Sequence, residues 1–414
     1  MPAQGSTFSP LSHRLFLILW VTSLTGNVAH AAQSVAAQWL MTQIDGRADM
    51  VALIQTAISA PVMLLALVGG AVADVYDRRR VMLVAQASLA GISVLLALLS
   101  YQGTVTPWLL IALTFATGVG IAFYNPAAQS SIGRVVPREE LAGAVSLNIL
   151  GFNVARTLGP ALGGAVVALG GIFAGYLGSA LAFLAAAVLL YFWKPQFERE
   201  GPKSGSHIFA AMAAGFRCIR ETRELTAVAA RAFAFTLCGS AAWALMPLVA
   251  RDLTGGGPEQ FGMLLGALGL GAVIGAAFAH EVRRRFTGEV LVRTAGVIFG
   301  AGCLIISARP GFAVTFAVLV LGGAGWVQAL SGFSVAGQLW APRAVVGMVT
   351  ATVSTMVFAG LALGSWAWGY LAEITSVAAA IAGSGIAMIL IGALGLVLPL
   401  PRNADAPSHG TPRA

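Results

Sequence analysis

Three groups of residues in this 414-residue chain stand where ordinary packing does not account for them. The first is Arg156, inside the apolar run "NILGFNVARTLGPALGG". A guanidinium in mid-span costs at least ~2.5 kcal/mol to insert, so it faces a polar interior or finds a partner. Asn153 one turn earlier and Asn148 two turns earlier lie on a similar face, and an anionic or phenolic small molecule is a natural ligand for such a cluster. The alternative is a structural bond to a neighbouring helix's backbone. The second is His30, the one histidine in the middle of an apolar run, with Asn27, Gln33 and Gln38 near it. Imidazole's ordinary pKa of about 6.5 suits proton exchange, and a polar contact between helices is its other common use. The third is "GGAVADVYDRRRVML" (69–83), which sets Asp74, Asp77 and Arg78, Arg79 and Arg80 between two apolar runs. Asp74 opposes the negative end of its own helix and needs a partner elsewhere. The arginines are one candidate, and the positive start of the run near "APRAVVG" is another. A charge pair of the second kind would hold one face of the molecule shut.

The rest of the chain must position these groups, and its composition says in what medium. Hydrophobic residues make up 58% and charged residues 10%, against about 25% charged in a soluble domain. About 20 apolar residues cross a bilayer as a helix. Runs of that kind are expected near 15–40, 51–73, 81–101, 107–126, 141–168 and 171–193, then 226–250, 260–281, 290–307, 312–335, 345–371 and 376–398. Between the sixes lies a polar linker (194–225), amphipathic from Ile208 to Leu225, and 401–414 reads as a disordered tail. The start resembles a signal peptide with Ala29-His30-Ala31 as a cleavage site. The apolar character continues to Met41, however, and the layout needs this segment as its first helix.

Twelve spans put both termini on one side. On that layout 19 of the 24 Arg and Lys residues face the cytoplasm, and only Arg47, Arg251 and Arg309 face outward. Arg156 and Arg231 fall within spans, the latter expected to snorkel to the cytoplasmic surface. The net charge of +8 is thus topology, not a nucleic-acid face. The halves also align: an ungapped shift of 205 places Gly70 on Gly275, Gly159 and Gly164 on Gly364 and Gly369, Arg78–Arg80 on Arg283–Arg285, and Pro137-Arg138 on Pro342-Arg343. Six helices per copy is even, so the copies run parallel, with a site expected between them near the midplane. The fold class is an all-α integral membrane protein of two six-helix repeats.

Other chemistry is disfavoured. Cys218, Cys238 and Cys303 form no CxxC pair, the five histidines do not cluster, and no GxxxxGK[ST] loop occurs. No metal or cofactor is expected. No nucleophile–base pair marks an enzyme. Trp243, Trp326, Trp366 and Trp368 enrich the later spans, but Trp366 and Trp368 cannot share one helix face, so at least one faces lipid or the membrane interface. No binding box is built from these four.

"GGAVADVYDRRRV" resembles the loop motif between helices two and three of the major facilitator superfamily. It matches that pattern at Gly70, Ala73, Asp74, Arg78 and Arg79, and departs from it at Val75 and Asp77. Asp77 before three arginines is typical of the enterobactin-exporter-like branch, as are "NVARTLGPALGG" (153–164), "WALMPLVARDLTGGGPEQFGMLLGALGLGAVIGA" (243–276) and "GLALGSWAWGYLAE" (360–373). The resemblance implies that Ala155, Gly159, Pro160, Gly163 and Gly164 fill the superfamily's antiporter motif, and that the protein exports small molecules by alternating access, with proton antiport. It implies siderophore-like or amphiphilic cargo, residence in the cell (inner) membrane and action as a monomer. Broad drug efflux and transfer of lysophospholipid are the alternatives. Asn27, His30, Asn153 and Arg156 are the candidates for cargo binding or coupling.

Overall fold

Helix breakers divide this apolar chain into spans. Pro107 and Pro258 open helices at first-turn positions where no backbone donor is lost. Asp77, Thr106 and Thr287 cap helix starts by accepting from the backbone N–H groups of Arg79, Leu109 and Val290. The computed structural model describes residues 8–193, 217, 220–342, 346–395 and 399–400, and it contains no strand among them. Most of the expected amphipathic linker and all of the expected tail fall outside the described residues.

Among the described residues, ten helices are long and apolar enough to cross a membrane. One of these, Leu141–Phe192, is two helices run together. Gly171 there has φ 73° and ψ −179°, a backbone that suits glycine alone. Val167 and Gly175 meet across the turn. A shorter apolar helix closes the chain. The spans are therefore twelve: α1 (Arg14–Ile44), α2 (Ala48–Val75), α3 (Arg78–Gln102), α4 (Pro107–Val135), α5 (141–170), α6 (172–192), α7 (Arg223–Leu253), α8 (Pro258–Ala277, continued by Ala279–Arg285), α9 (Gly288–Ser307), α10 (Phe312–Trp340), α11 (Val346–Ile374) and α12 (Val377–Leu394). The face where α1 starts is called the terminal face below, and its opposite the far face.

The two repeats pack alike. In the first, α1 packs on α5, α2 on α4, and α3 on α4 and α6; in the second, α7 packs on α11, α8 on α10, and α9 on α10 and α12. Between halves, α2 meets α11 and α5 meets α8, each the image of the other. The glycines matched by the 205-residue shift do matching work. A Cβ on Gly159 would lie 2.6 Å from the Ala31 Cβ of α1, and one on Gly364 would strike the Leu237 carbonyl of α7. A Cβ on Gly164 would lie 2.5 Å from the Pro258 carbonyl of α8, and one on Gly369 would lie 3.2 Å from the Ala48 carbonyl of α2. Small residues let these helices approach closely without a hydrophobic driving force.

Burial differs between the faces. A single apolar cluster draws on both halves, and its first-half members, such as Trp39, Val51 and Leu110, all lie toward the far face, where they meet Phe261 and Ala372. Toward the terminal face the core splits into one cluster within the first half, around Phe16, Met82 and Trp193, and another within the second, around Leu225 and Val349. The halves are joined at one end and separate at the other.

Candidate functional site

Helix α5 carries the site because three of its faces have different neighbours. Gly159 and Gly163, one turn apart, abut Ala31 and Ala32 of α1. Thr157, Pro160, Ala161 and Gly164 abut the α8 glycines Gly262, Gly266 and Gly269. Pro160 has no N–H for the Arg156 carbonyl, and Gly269 comes so close to that carbonyl that a Cβ would sit 2.7 Å away. Ala155 is fully buried. The expected antiporter residues are thus the part of α5 held between α1 and the other half.

Arg156 lies between those two packed faces by helical periodicity. Its guanidinium carbon is 5.7 Å from the centroid of the Trp243 ring on α7, a cation–π contact between the halves. Arg156 makes no hydrogen bond or ion pair among the described residues. The expected polar cluster with Asn153 does not form, since the Asn153 amide donates to the Ile149 carbonyl of its own helix at 3.0 Å. That local bond costs the side chain no reach.

Trp243 and Trp326, which the sequence did not place in a binding box, belong to an aromatic cluster beside Arg156. Trp243 lies 4.2 Å from Trp326 and 5.9 Å from Phe299, with the Phe299 ring parallel to within 4°. Phe235 and Phe333 complete the cluster. Trp243 is brought there because α7 is interrupted at Ser240 and Leu245 and ends in a π turn, Val249–Leu253. Pro247 in "WALMPLVARD" was the legible signal of that break. Trp366 is 54% exposed, as expected of a lipid-facing ring, and Trp368 donates to the Leu237 carbonyl.

On α1, Asn27, His30 and Ser34 form a half-buried stripe away from the Ala31–Ala32 face that meets α5. His30 Nδ1 is enclosed with no hydrogen-bond partner. Neither Asn27 nor His30 bonds to Arg156 among the described residues. Gln33 instead faces inward, accepting from Ser93 at 2.8 Å and donating to Thr117 at 3.3 Å.

The loop motif acts within its own half in this conformation. Arg78 donates to the carbonyls of Ala73 (3.1 Å) and Ser130 (2.8 Å), and Arg79 to those of Leu190 (3.0 Å) and Tyr191. Those of Ala73, Leu190 and Tyr191 belong to the last turns of α2 and α6, and that of Ser130 lies near the end of α4. Asp77 caps α3 and lies 3.8 Å from Arg80. A Cβ on Gly70 would meet nothing within 4 Å. Asp74 lies in the last turns of α2, and its side chain is outside the described set. Glu281 pairs with Arg284 and Arg285 of its own helix.

Arg231 does not snorkel. It is buried, paired with Glu289, whose carboxylate also accepts the Leu400 backbone N–H at 2.8 Å. A partner in the next repeat element outweighs reach to the surface.

The far face holds bonds of a different kind. The Glu373 carboxylate at the end of α11 accepts from the Ala48 backbone N–H at the start of α2, 2.8 Å away. Arg251 at the end of α7 donates to the Thr42 carbonyl near the end of α1 at 3.4 Å. Deeper in, the Thr56 hydroxyl donates to the Ala362 carbonyl at 3.0 Å. Each bond crosses between halves. Asp49, hydrogen-bonded to Arg47, raises that guanidinium's pKa, and Glu373 adds to the effect.

Comparison with known proteins agrees with this architecture. The chain is 27% identical to the multidrug efflux pump Tap of Mycolicibacterium fortuitum, covering 95% of this chain and 98% of that one. It is 27% identical to the enterobactin exporter EntS of Escherichia coli, over 80% and 79% of the two chains. Among solved structures, the nucleoside transporter NupG superposes with a TM-score of 0.76 at 10% identity, covering 93% of this chain and all of that one. An inward-facing bacterial homologue of the human lysosomal transporter Spinster superposes with a TM-score of 0.71 at 15% identity, over 95% and 96%. These folds are those of membrane transporters. Residues 5–412 match the transmembrane secretion effector family, so the protein, a multi-pass membrane transporter, belongs to that family of the major facilitator superfamily.

Proposed function

We propose that this protein exports a small molecule from the cytoplasm by alternating access, driven by proton antiport. The observation that carries the reading is the split of the core: the two halves share a cluster toward the far face, and toward the terminal face the clustered residues of each half pack within that half. Taken with the positive-inside distribution, in which both termini are cytoplasmic, this is a transporter open to the cytoplasm and ready to load. Arg156 is the cargo-binding residue, at the junction of α5, α1 and the other half. Ala155, Gly159, Pro160, Gly163 and Gly164 form the bending region, because closing the cytoplasmic side requires α5 to move against α1 and α8. In that closed state Asp74 would meet the start of α11 and act as the latch. Asn27 and His30 supply the polar stripe for coupling, and His30 is the proton carrier. The cargo is siderophore-like or an amphiphilic metabolite. The similarity to a multidrug efflux pump favours broad drug efflux as the second reading.

Comparative mass spectrometry of medium and cell contents under iron limitation tests this in a deletion strain, a complemented strain and an Arg156→Ala strain. A chelator lost outside and accumulated inside the deletion strain, unrescued by Arg156→Ala at normal protein level, is expected. Unchanged chelators with raised sensitivity to unrelated lipophilic compounds would move the assignment to drug efflux.

A further inference from the structure

Of the five rings that cluster in the second half, Phe235, Phe299, Trp326 and Phe333 are enclosed, and Trp243 alone is half-buried. The Phe299 ring lies parallel to it, 5.9 Å between centroids, and the Trp326 ring is 4.2 Å away, so its position is held by both. The charged group set against the ring is Arg156, from the other half. That guanidinium has no carboxylate. Every described Asp and Glu sits at a helix end or in a connection, none in mid-span. An arginine without an anion takes the face of an indole as the next best partner. The ring and the cation therefore satisfy each other provisionally, across a boundary that must open and close during transport.

We infer that Arg156 and Trp243 form a self-occupied slot for a planar aromatic ring carrying an anionic group, and that the slot rejects organic cations. The ring stacks on Trp243, whose backing by Phe299 and Trp326 fixes its plane. The anionic group draws Arg156 off the indole and makes charge-assisted hydrogen bonds with its free N–H donors. A cationic ligand would meet Arg156 with no mid-span carboxylate to receive it, so its charge repels instead of binding. Because Arg156 belongs to α5 and Trp243 to α7, such a ligand replaces a direct contact between halves with one running through itself. Trp243 thus selects the ring and Arg156 selects the charge. The inference rests on reading the space between the halves as the cargo path.

Binding to the purified full-length chain in lipid nanodiscs tests it, with three matched probes: 2-naphthoate, its saturated analogue decalin-2-carboxylate, and 2-naphthylmethylammonium. Calorimetry gives affinities, and tryptophan fluorescence reports contact with the ring. The expected order is 2-naphthoate tightest, the saturated acid roughly fivefold weaker for want of stacking, and the ammonium ion weaker still. Arg156→Gln should weaken both acids by roughly tenfold, and Arg156→Lys should restore part of that loss. Trp243→Leu should weaken 2-naphthoate and leave the saturated acid unchanged. Melting temperatures check that each variant is folded, and Trp366→Leu, which removes a lipid-facing ring, should change no affinity. Binding of the ammonium ion as tight as that of 2-naphthoate would overturn the proposal. So would absence of saturable 2-naphthoate binding, or unchanged 2-naphthoate affinity in both Trp243→Leu and Arg156→Gln. Equal loss of both acids in Trp243→Leu would also overturn it, since the indole would then not be reading the ring. Export is judged separately, by cargo appearing outside cells, and survives if the slot fails.

Discussion

The far face and the terminal face use the same chemistry to opposite ends. At both, charged side chains bond backbone groups at or near helix termini. At the far face the charge and the helix belong to different halves: Glu373 caps the start of α2, and Arg251 reaches the end of α1. An anion at a helix start and a cation at a helix end are both favoured by the macrodipole. At the terminal face the pairs stay within a half: Arg78 and Arg79 bond the ends of α2, α4 and α6, and Arg231 pairs with Glu289. The same kind of bond closes a gate when it crosses the boundary and builds a rigid body when it does not.

That difference can be broken at either end. The largest effect is expected from Arg231→Met, which leaves Glu289 without its buried partner and should cost the second half about 3–5 kcal/mol. A melting temperature lowered by many degrees, in detergent or nanodiscs, checks it; an unchanged melt would show that the pair does not hold the half together. Glu373→Gln should act on the gate instead. It removes a charge-assisted cap worth about 0.3–1 kcal/mol at an exposed helix start. The far face should then open roughly twofold to fivefold more often, with little change in melting. Reaction of Thr56→Cys with an impermeant thiol reagent, in a background lacking Cys218, Cys238 and Cys303, measures that opening. The smallest effect is expected from Asp74→Asn, and its sign sharpens the comparison. If Asp74 latches the terminal face in the alternate state, losing it should favour the conformation seen here and slow the Thr56→Cys reaction. A faster reaction would remove Asp74 from the latch.

The parts legible in the sequence were those governed by local rules. Spans follow from apolar length, and the pairing of repeats follows from the register of Gly159, Gly164, Gly364 and Gly369, because close helix approach demands small residues wherever it occurs. Arg156 announced itself by its cost in mid-span, and the spacing of Trp366 and Trp368 required one of them to face outward. The errors came at residues whose partners are distant in the chain. Arg231 read as a snorkelling residue because Glu289, 58 positions on, gave no sign of reaching it. Trp243 was left out of any binding box because its ring partners, Phe299 and Trp326, lie on other helices. Asn153 is the exception: it shared a face with Arg156 as expected, yet its amide found an acceptor four residues away in its own helix.

By itself the sequence determined the medium, the twelve crossings, the two parallel repeats and the few polar groups with anything to do inside a membrane. Hydropathy, breakers and glycine register are properties of short segments, and lipid leaves a chain few other ways to satisfy its backbone. The tertiary structure alone decided which face is sealed, which charges cap which helix ends, and that a lone arginine rests on a tryptophan 87 residues away in the other half. Those outcomes turn on energies of about 1 kcal/mol between groups brought together only by the fold. Two arrangements of the same helices satisfy every local rule equally well.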